Sequence, residues 1–161
     1  MYYEEITLSF ALTKLMKKKR LLVIVERGKG KGNFSCFATE NVGNCGLFGY
    51  GRTAREAMED IQVSVQECRE MAAEEGEDFP DEIEFDFRLD VGSFFDYYPL
   101  DVTATAKYIG INPSVLRQYV SAIREPQQKQ IDKIKVGLEG LVHDLGTGLK
   151  MIDKPAVSYI Q

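Results

Sequence analysis

The stretch Thr105–Tyr119, which reads TAKYIGINPSVLRQY, constrains the fold of this 161-residue chain more than any other. Apolar residues at helical spacing lie on both sides of a short interruption that contains Gly110 and Pro113. Glycine accepts the positive φ that commonly ends a helix, and proline suits the first turn of a new one. The chain is therefore expected to end one helix and start the next almost immediately.

This spacing is typical of a helix-turn-helix. Such a motif needs a small residue inside the first helix, where the second helix crosses it, and another in the turn. Ala106 and Gly110 supply the two small residues. Leu116 and Tyr119 then lie on the inward side of the second helix, which leaves its polar residues facing outward.

The outward residues suit contact with double-stranded DNA. Arginine and glutamine can hydrogen-bond base edges in the major groove, and serine can bond bases or phosphates. Basic residues nearby would neutralise phosphates. The predicted DNA-binding residues are Asn112, Ser114, Arg117, Gln118 and Ser121 on the outward face, flanked by Lys107, Arg124 and Lys129. Ordinary helical bundles also contain such turns, so a helical dimerisation module is the alternative.

The charge distribution separates the two halves of the chain. Residues 1–98 carry 12 basic and 19 acidic side chains, whereas residues 99–161 carry 8 basic and 6 acidic ones. The net charges of −7 and +2 indicate two modules with different partners. Because the recognition helix carries one arginine, we expect DNA binding to depend on a homodimer or higher oligomer.

The first half has the pattern of a small sheet. Leu21–Val25 is a β-branched apolar run, Phe34–Thr39 is a second strand, and Gly46–Gly51 is a short third one. The glycine-rich link at residues 27–33 predicts a hairpin. A phosphate-binding loop is the less favoured interpretation, because no Gly-Lys-Ser/Thr follows at the required spacing.

One helix and one further strand complete this half. Thr53 and Glu56 form a capping box, and Gly76 is a plausible helix end. Between them an apolar stripe at helical spacing comprises Ala54, Ala57, Met58, Ile61, Val65, Cys68 and Ala72. Residues 83–91 then alternate apolar and charged side chains, which predicts a strand with one wet, mostly acidic face.

The order β-β-β-α-β gives an α+β fold class, with a three- to four-stranded sheet and one helix followed by an all-α domain. The predicted division is an N-terminal extension at 1–18, an α+β domain at 19–91, a helix-turn-helix domain at 92–152 and a loose tail at 153–161. Residues before Lys17 fit a strand or a helix, and Met16 is an alternative translation start.

Chemistry-bearing residues give no sign of catalysis. Three cysteines without CxxC spacing argue against a disulfide framework or zinc site, and we interpret them as reduced thiols of a cytoplasmic protein. The single histidine, His143, lies in a helical pattern beside Val142 and Asp144. The eight acids of residues 74–86 cluster on one loop and strand rather than converging on a pocket, which disfavours a metal-dependent nuclease. No enzyme activity, cofactor, metal site or membrane span is expected.

Two motifs resemble the HicB family of antitoxins. One is Ile111-Asn112-Pro113-Ser114 followed by Leu116-Arg117-Gln118-Tyr119, preceded by Ser93-Phe94-Phe95-Asp96. The other is Cys45-Gly46 through Gly51, with Thr53, Glu56 and Ala57 at the start of the helix. The resemblance covers roughly residues 19–150, and the chain departs from it at Arg52, where many relatives have aspartate.

The resemblance implies a specific pair of partners. Its N-terminal domain would be a partial, non-catalytic ribonuclease-H-like fold that covers a small basic mRNA-cleaving toxin of the HicA type. Its helix-turn-helix would bind the operator of its own operon and repress it. The acidic residues 74–86 would then suit a basic toxin. The alternatives are a stand-alone transcription factor whose α+β domain dimerises or binds another protein, and an assembly module without DNA contact.

Overall fold

The computed structural model describes residues 16–29 and 32–153, which divide into two compact units, Met1–Pro99 and Leu100–Gln161. The first unit joins a sheet to helices and the second is helical throughout its described part, so the α+β class is confirmed. The strand-or-helix alternatives for the first fifteen residues, and the tail from residue 154, lie outside the described residues.

Within residues 16–29 and 32–153, four strands form one mixed sheet in the order β3-β2-β1-β4. The strands are β1 Lys18–Arg27, β2 Phe34–Ala38, β3 Phe48–Gly51 and β4 Glu82–Leu89. β2 is antiparallel to both β1 and β3, so the glycine-rich link does connect a hairpin. β4 pairs in parallel with β1 at one edge of the sheet. The helix that supplies the crossover connection lies between β3 and β4 in the sequence.

The crossover helix, α1, runs over Ala54–Glu75 and begins and ends at the predicted signals. Thr53 Oγ1 accepts a hydrogen bond of 3.1 Å from Glu56 N, as in a capping box. The Glu56 carboxylate accepts from Arg52 N at 2.7 Å, one residue earlier than the usual partner. Gly76 ends the helix in the left-handed region, with φ of 69°.

The core of the first unit lies between α1 and one face of the sheet. Every residue of the predicted helical stripe is buried except Met58, which is half-buried against the same core. Alternate residues of β1 and β2 belong to this core, because successive side chains of a strand point to opposite faces of the sheet. The fully or nearly fully buried strand residues are Leu21, Val23, Val25, Phe34 and Cys36.

Two glycines let β3 approach α1 at backbone contact distance. A Cβ on Gly49 would lie 2.3 Å from Ala57 O, and one on Gly51 would lie 2.5 Å from Ala57 N. Ala57 is itself fully buried, so small residues meet on both sides of this contact. The contact therefore requires glycine at β3, for lack of space rather than for backbone conformation.

A second helix, α2 at Val91–Tyr97, belongs to the first unit. Asp90 caps its start by accepting from Ser93 N at 2.7 Å, so Val91 opens a helix instead of ending the strand. Ser93 Oγ donates to Val25 O at 3.3 Å, and Ala54 N donates to Asp96 at 2.8 Å. These bonds fasten α2 to β1 and α1, and the units divide after Pro99 rather than at Gly92.

The cysteine prediction is wrong for two of the three residues. Cys45 and Cys68 form a disulfide, with Cα atoms 5.9 Å apart. A tight turn closed by the bridge between Val42 and Cys45 carries Cys45 onto α1, where Cys68 lies in the buried stripe. Cys36 is a free, buried thiol that donates to Ala57 O, and burial raises its pKa to about 11.

Within residues 100–153 the second unit contains three α-helices and a 3-10 turn. They are α3 Val102–Ile109, α4 Pro113–Val120 and α5 Gln128–Gly148, followed by the 3-10 turn Leu149–Met151. Asp101 caps α3 by accepting from Ala104 N at 2.6 Å. α3 contacts both α4 and α5, so it is the central helix of the unit.

Candidate functional site

The link between α3 and α4 has the predicted geometry. Gly110 ends α3 in the left-handed region, with φ of 72°, and Ile111 N bonds back to Ala106 O at 2.9 Å. Asn112 caps α4 and Pro113 occupies its first turn. Ala106 is fully buried, as expected for the position at which a second helix approaches α3.

One side of α4 is buried and the other is polar. Leu116 and Tyr119 are buried, which anchors the helix in the unit. Ser114, Arg117, Gln118 and Ser121 recur at spacings of three and four residues and therefore share the opposite face. Ser114 and Arg117 are exposed, whereas Gln118 and Ser121 are half-buried. We call these four residues the α4 polar face.

Hydrogen bonds within the unit determine which donors and acceptors of each polar residue remain available to a ligand. Arg117 Nη1 donates to Thr103 Oγ1 of α3 at 3.0 Å, which leaves the other guanidinium donors unassigned. Ser121 Oγ donates to Arg117 O at 2.8 Å. Asn112 Oδ1 accepts from Ser114 N at 2.9 Å, so this residue acts first as a helix cap. Asn112 and Ser121 therefore each have a polar group engaged within the unit before any ligand binds.

The predicted phosphate-contacting residues are all exposed. Lys107 lies on α3, Arg124 on the link that follows α4, and Lys129 in the first turn of α5. The Arg124 guanidinium lies over the Tyr119 ring, 5.8 Å from its centroid, which holds the cation beside the end of α4. The three predicted cations thus lie on three different segments, namely α3, the link after α4 and the start of α5.

Two further side chains join α5 to α3, and neither was predicted. Lys133 Nζ donates to Gly110 O at 2.9 Å, which satisfies a carbonyl at the end of α3. Tyr108 donates its hydroxyl to Asp144, and this bond raises the pKa of Tyr108, which keeps the donor protonated. The position of α3 therefore depends on α5 at two points. Sequence spacing carries no signal for such contacts between helices.

Three of the eight acids at residues 74–86 form ion pairs with a basic run that precedes them by about sixty residues. In the parallel register Lys18 lies opposite Glu82 and Arg20 opposite Glu84, and each pair forms an ion pair. Lys17 pairs with Asp78 and Arg88 with Asp86. Hydrogen bonding to Asp78 raises the pKa of Lys17 and lowers that of Asp78. The wet face of β4 is thus less negative than its sequence indicates.

Comparison of the chain with protein-family models, curated proteins and solved structures finds no match. Function is therefore inferred from the surfaces themselves. Among the helices within residues 16–29 and 32–153, none is long and apolar enough to span a membrane.

Proposed function

We propose that the second unit is a helix-turn-helix DNA-binding domain and that the chain regulates transcription by binding operator DNA as a homodimer. The observation that supports this most is the α4 polar face, which lies opposite the buried Leu116 and Tyr119. A helix of this kind fits the major groove, where base edges carry a distinct pattern of donors and acceptors.

Arg117 is the principal base-reading residue in this proposal. Its bond to Thr103 restricts the guanidinium before DNA arrives, so less side-chain entropy is lost on binding. An arginine held in this way can present paired donors to guanine O6 and N7. Gln118, one residue further along the same face, suits adenine.

Phosphate contacts would come from Lys107, Arg124 and Lys129. These contacts position a protein on the duplex without reading its sequence. The helical half has a net charge of only +2, so attraction by the whole unit is modest. Binding therefore relies on local cations and on two copies acting together, and its affinity falls as salt rises.

Toxin neutralisation remains a prediction from the resemblance to HicB antitoxins, as does the partial ribonuclease-H-like description of the first unit. The internal ion pairs of Lys18 with Glu82 and Arg20 with Glu84 reduce the charge available to a basic toxin. The stand-alone transcription factor is therefore the main alternative to the antitoxin. Co-purification with the product of a neighbouring gene distinguishes the two, because a small basic partner is expected only for an antitoxin.

Replacing Arg117 by alanine is expected to weaken operator binding by about 1–3 kcal/mol and to relax base preference. Fluorescence anisotropy with DNA from upstream of the gene, and with a scrambled duplex, measures both effects. Arg117→Lys is the matched control, because lysine keeps the charge but loses the two-pronged donor geometry. If Arg117 reads a base, lysine restores little of the lost specificity.

Lys129→Ala should weaken binding to all duplexes alike and reduce the salt dependence, because a phosphate contact is insensitive to sequence. Equal affinity of the wild-type chain for operator and scrambled DNA would contradict sequence-specific regulation. Absence of binding to any duplex at low salt would favour the assembly module instead.

A further inference from the structure

The disulfide of the first unit joins a tight turn to the crossover helix. In the turn, Val42 N and Cys45 N each donate to the carbonyl oxygen of the other residue, at 2.9 and 3.1 Å. We call this segment the Val42–Cys45 turn. Cys68 lies 23 residues further along the chain, in the buried stripe of α1. The bond therefore closes a loop that contains β3 and the first part of α1.

The two halves of the disulfide differ in their access to solvent. Cys68 is 3% exposed, whereas Cys45 is half-buried. Both line a small cavity, and the exposed residues Asn44 and Glu75 line it as well. Thiol–disulfide exchange begins when a thiolate attacks one of the two sulfurs, so its rate depends on access to that sulfur. Cys45 is therefore the half of the disulfide that is open to attack.

Both sulfurs have a hydrogen-bond acceptor within reach. The carbonyl oxygen of Gly46 lies 3.8 Å from Cys68 Sγ and 4.0 Å from Cys45 Sγ. A thiol is a weak donor, and its hydrogen bonds are longer than those of a hydroxyl because sulfur is larger than oxygen. A thiol released at Cys68 would thus find a partner without any rearrangement of the core.

Other contacts hold the Val42–Cys45 turn when the disulfide is open. Val42 is 4% exposed and Leu47 is 0% exposed, so the core anchors the chain on both sides of Cys45. Gly49 keeps β3 at backbone contact distance from α1. Reduction should therefore loosen the turn and lower the stability of the first unit without unfolding it.

The third cysteine does not compete in this exchange. Cys36 is 1% exposed and donates to Ala57 O, and burial raises its pKa to about 11. The thiolate is the reactive form of cysteine, so a buried thiol with a raised pKa is inert near neutral pH. The chain thus combines one exchangeable pair with one inert thiol.

We propose that the disulfide of Cys45 with Cys68 is a reversible redox switch, which a dithiol reductant opens at Cys45. One thiolate of the reductant attacks Cys45 Sγ and forms a mixed disulfide, while Cys68 leaves as a thiolate and takes up a proton. The second thiolate of the reductant then attacks the reductant's own sulfur in the mixed disulfide, which releases Cys45. The protein gains two electrons and two protons, and the dithiol loses them as it becomes a disulfide.

Opening the disulfide changes the stability of the first unit. The closed loop restricts the unfolded chain, and reduction removes that restriction. Disulfides of reducing compartments are mostly transient or redox-sensing, and an operator-binding protein works in such a compartment. The reducing compartment follows only from the proposed function, whereas the exchange at Cys45 does not depend on it.

Dithiothreitol, a dithiol, should open the disulfide of the full-length oxidised chain in buffer without denaturant. Alkylation of the chain after unfolding, followed by peptide mass spectrometry, should find one free thiol before treatment and three afterwards. Thermal unfolding monitored by circular dichroism should show a melting temperature of the first unit that is lower by about 10 °C or more. Oxidised dithiothreitol should restore the original value.

Two matched variants test which cysteine is attacked. Cys68→Ala leaves Cys45 as a free thiol, and Cys45→Ala leaves Cys68, so both remove the disulfide. Iodoacetamide in native buffer should modify Cys45 in the first variant faster than Cys68 in the second, by about tenfold or more, because Cys68 is buried. Dithiothreitol should not change the melting temperature of either variant.

Release of the two thiols only in enough denaturant to unfold the first unit would overturn the proposal, because the disulfide would then be a permanent cross-link. Equal melting temperatures of the oxidised and reduced chains would also overturn it, as would faster modification of Cys68 than of Cys45. These measurements contain no DNA. A chain that switches but ignores operator DNA therefore contradicts only the proposed function, and one that binds operator DNA but resists reduction contradicts only the switch.

Discussion

Gly49→Ala is expected to unfold the first unit or to destabilise it by about 3 kcal/mol or more, at the upper end of the range for overpacked cores. The added Cβ would lie 2.3 Å from Ala57 O, 2.7 Å from Ile61 N and 2.9 Å from Cys36 Sγ. Two of these neighbours are backbone atoms of α1, which cannot rotate away as a side chain can. Relief therefore requires β3 and α1 to separate.

Hydrogen–deuterium exchange followed by mass spectrometry measures this effect one segment at a time. Exchange should accelerate in β2, β3 and α1. Gly140→Ala is the control, because nothing lies within 4 Å of a Cβ there and alanine favours a helix interior by about 1 kcal/mol. Wild-type protection around β3 in the Gly49 variant would show that β3 and α1 are not packed at this distance.

Ile134→Ala is expected to destabilise the second unit by about 2–5 kcal/mol, the usual cost of removing a buried isoleucine side chain. Ile134 is the one buried residue within the described span of α5. Loss of the Ile134 side chain should loosen α5, which is bonded to α3 from Lys133 to Gly110 and from Asp144 to Tyr108. Operator affinity should fall with stability, although the residue lies outside the α4 polar face.

Ile123→Ala is the matched control for Ile134. Ile123 is 72% exposed on the link after α4, so the same truncation there should change stability by less than about 0.5 kcal/mol. Thermal unfolding monitored by circular dichroism compares the two variants directly. Equal melting temperatures would mean that α5 is not packed through Ile134.

Elements whose burial depends on a local pattern could be predicted from the sequence. The stripe from Ala54 to Ala72 specifies one face of α1, and Thr53 and Gly76 specify its ends. The same holds for the start of α4, where Gly110 and Pro113 act within a few residues of each other. In each case the determining interactions lie within one or two helical turns.

Features that depend on distant residues could not be predicted. The disulfide of Cys45 with Cys68 forms only when the turn that holds Cys45 lies against the face of α1 that holds Cys68. The spacing of the two cysteines in the sequence does not indicate this contact. The ion pairs of β4 depend on its register with β1. The complementary charge of the basic run at residues 17–20 and the acidic run at 81–86 was a usable signal, because parallel pairing aligns them.

The end of α4 also lacks a local signal. Ala122 adopts a φ of 55°, a left-handed conformation that costs an alanine about 1–2 kcal/mol relative to the helical region. No glycine marks this position. The helix ends there because Ile123 N and Arg124 N both bond to Gln118 O, which closes the last turn.

For the candidate site, the sequence indicates which residues share the outward face of α4 but not the hydrogen bond that joins this face to α3. Outward residues of α4 follow from helical spacing once Leu116 and Tyr119 are assigned inward. The bond from Arg117 to Thr103 requires the crossing of α3 and α4 in three dimensions, whereas the cap that Asn112 provides is local to the start of α4. The bond to Thr103 anchors Arg117, and the cap occupies one of the two acceptor sites on the Asn112 carbonyl oxygen.

Titrating the nitrogen-15-labelled full chain with operator duplex, and following backbone amide shifts by NMR, tests the DNA-binding proposal most directly. The largest shifts should fall on Ser114, Arg117, Gln118 and Ser121, with smaller ones near Lys107, Arg124 and Lys129. Shifts confined to the first unit, or no change in α4 when the duplex is in excess, would contradict the proposal.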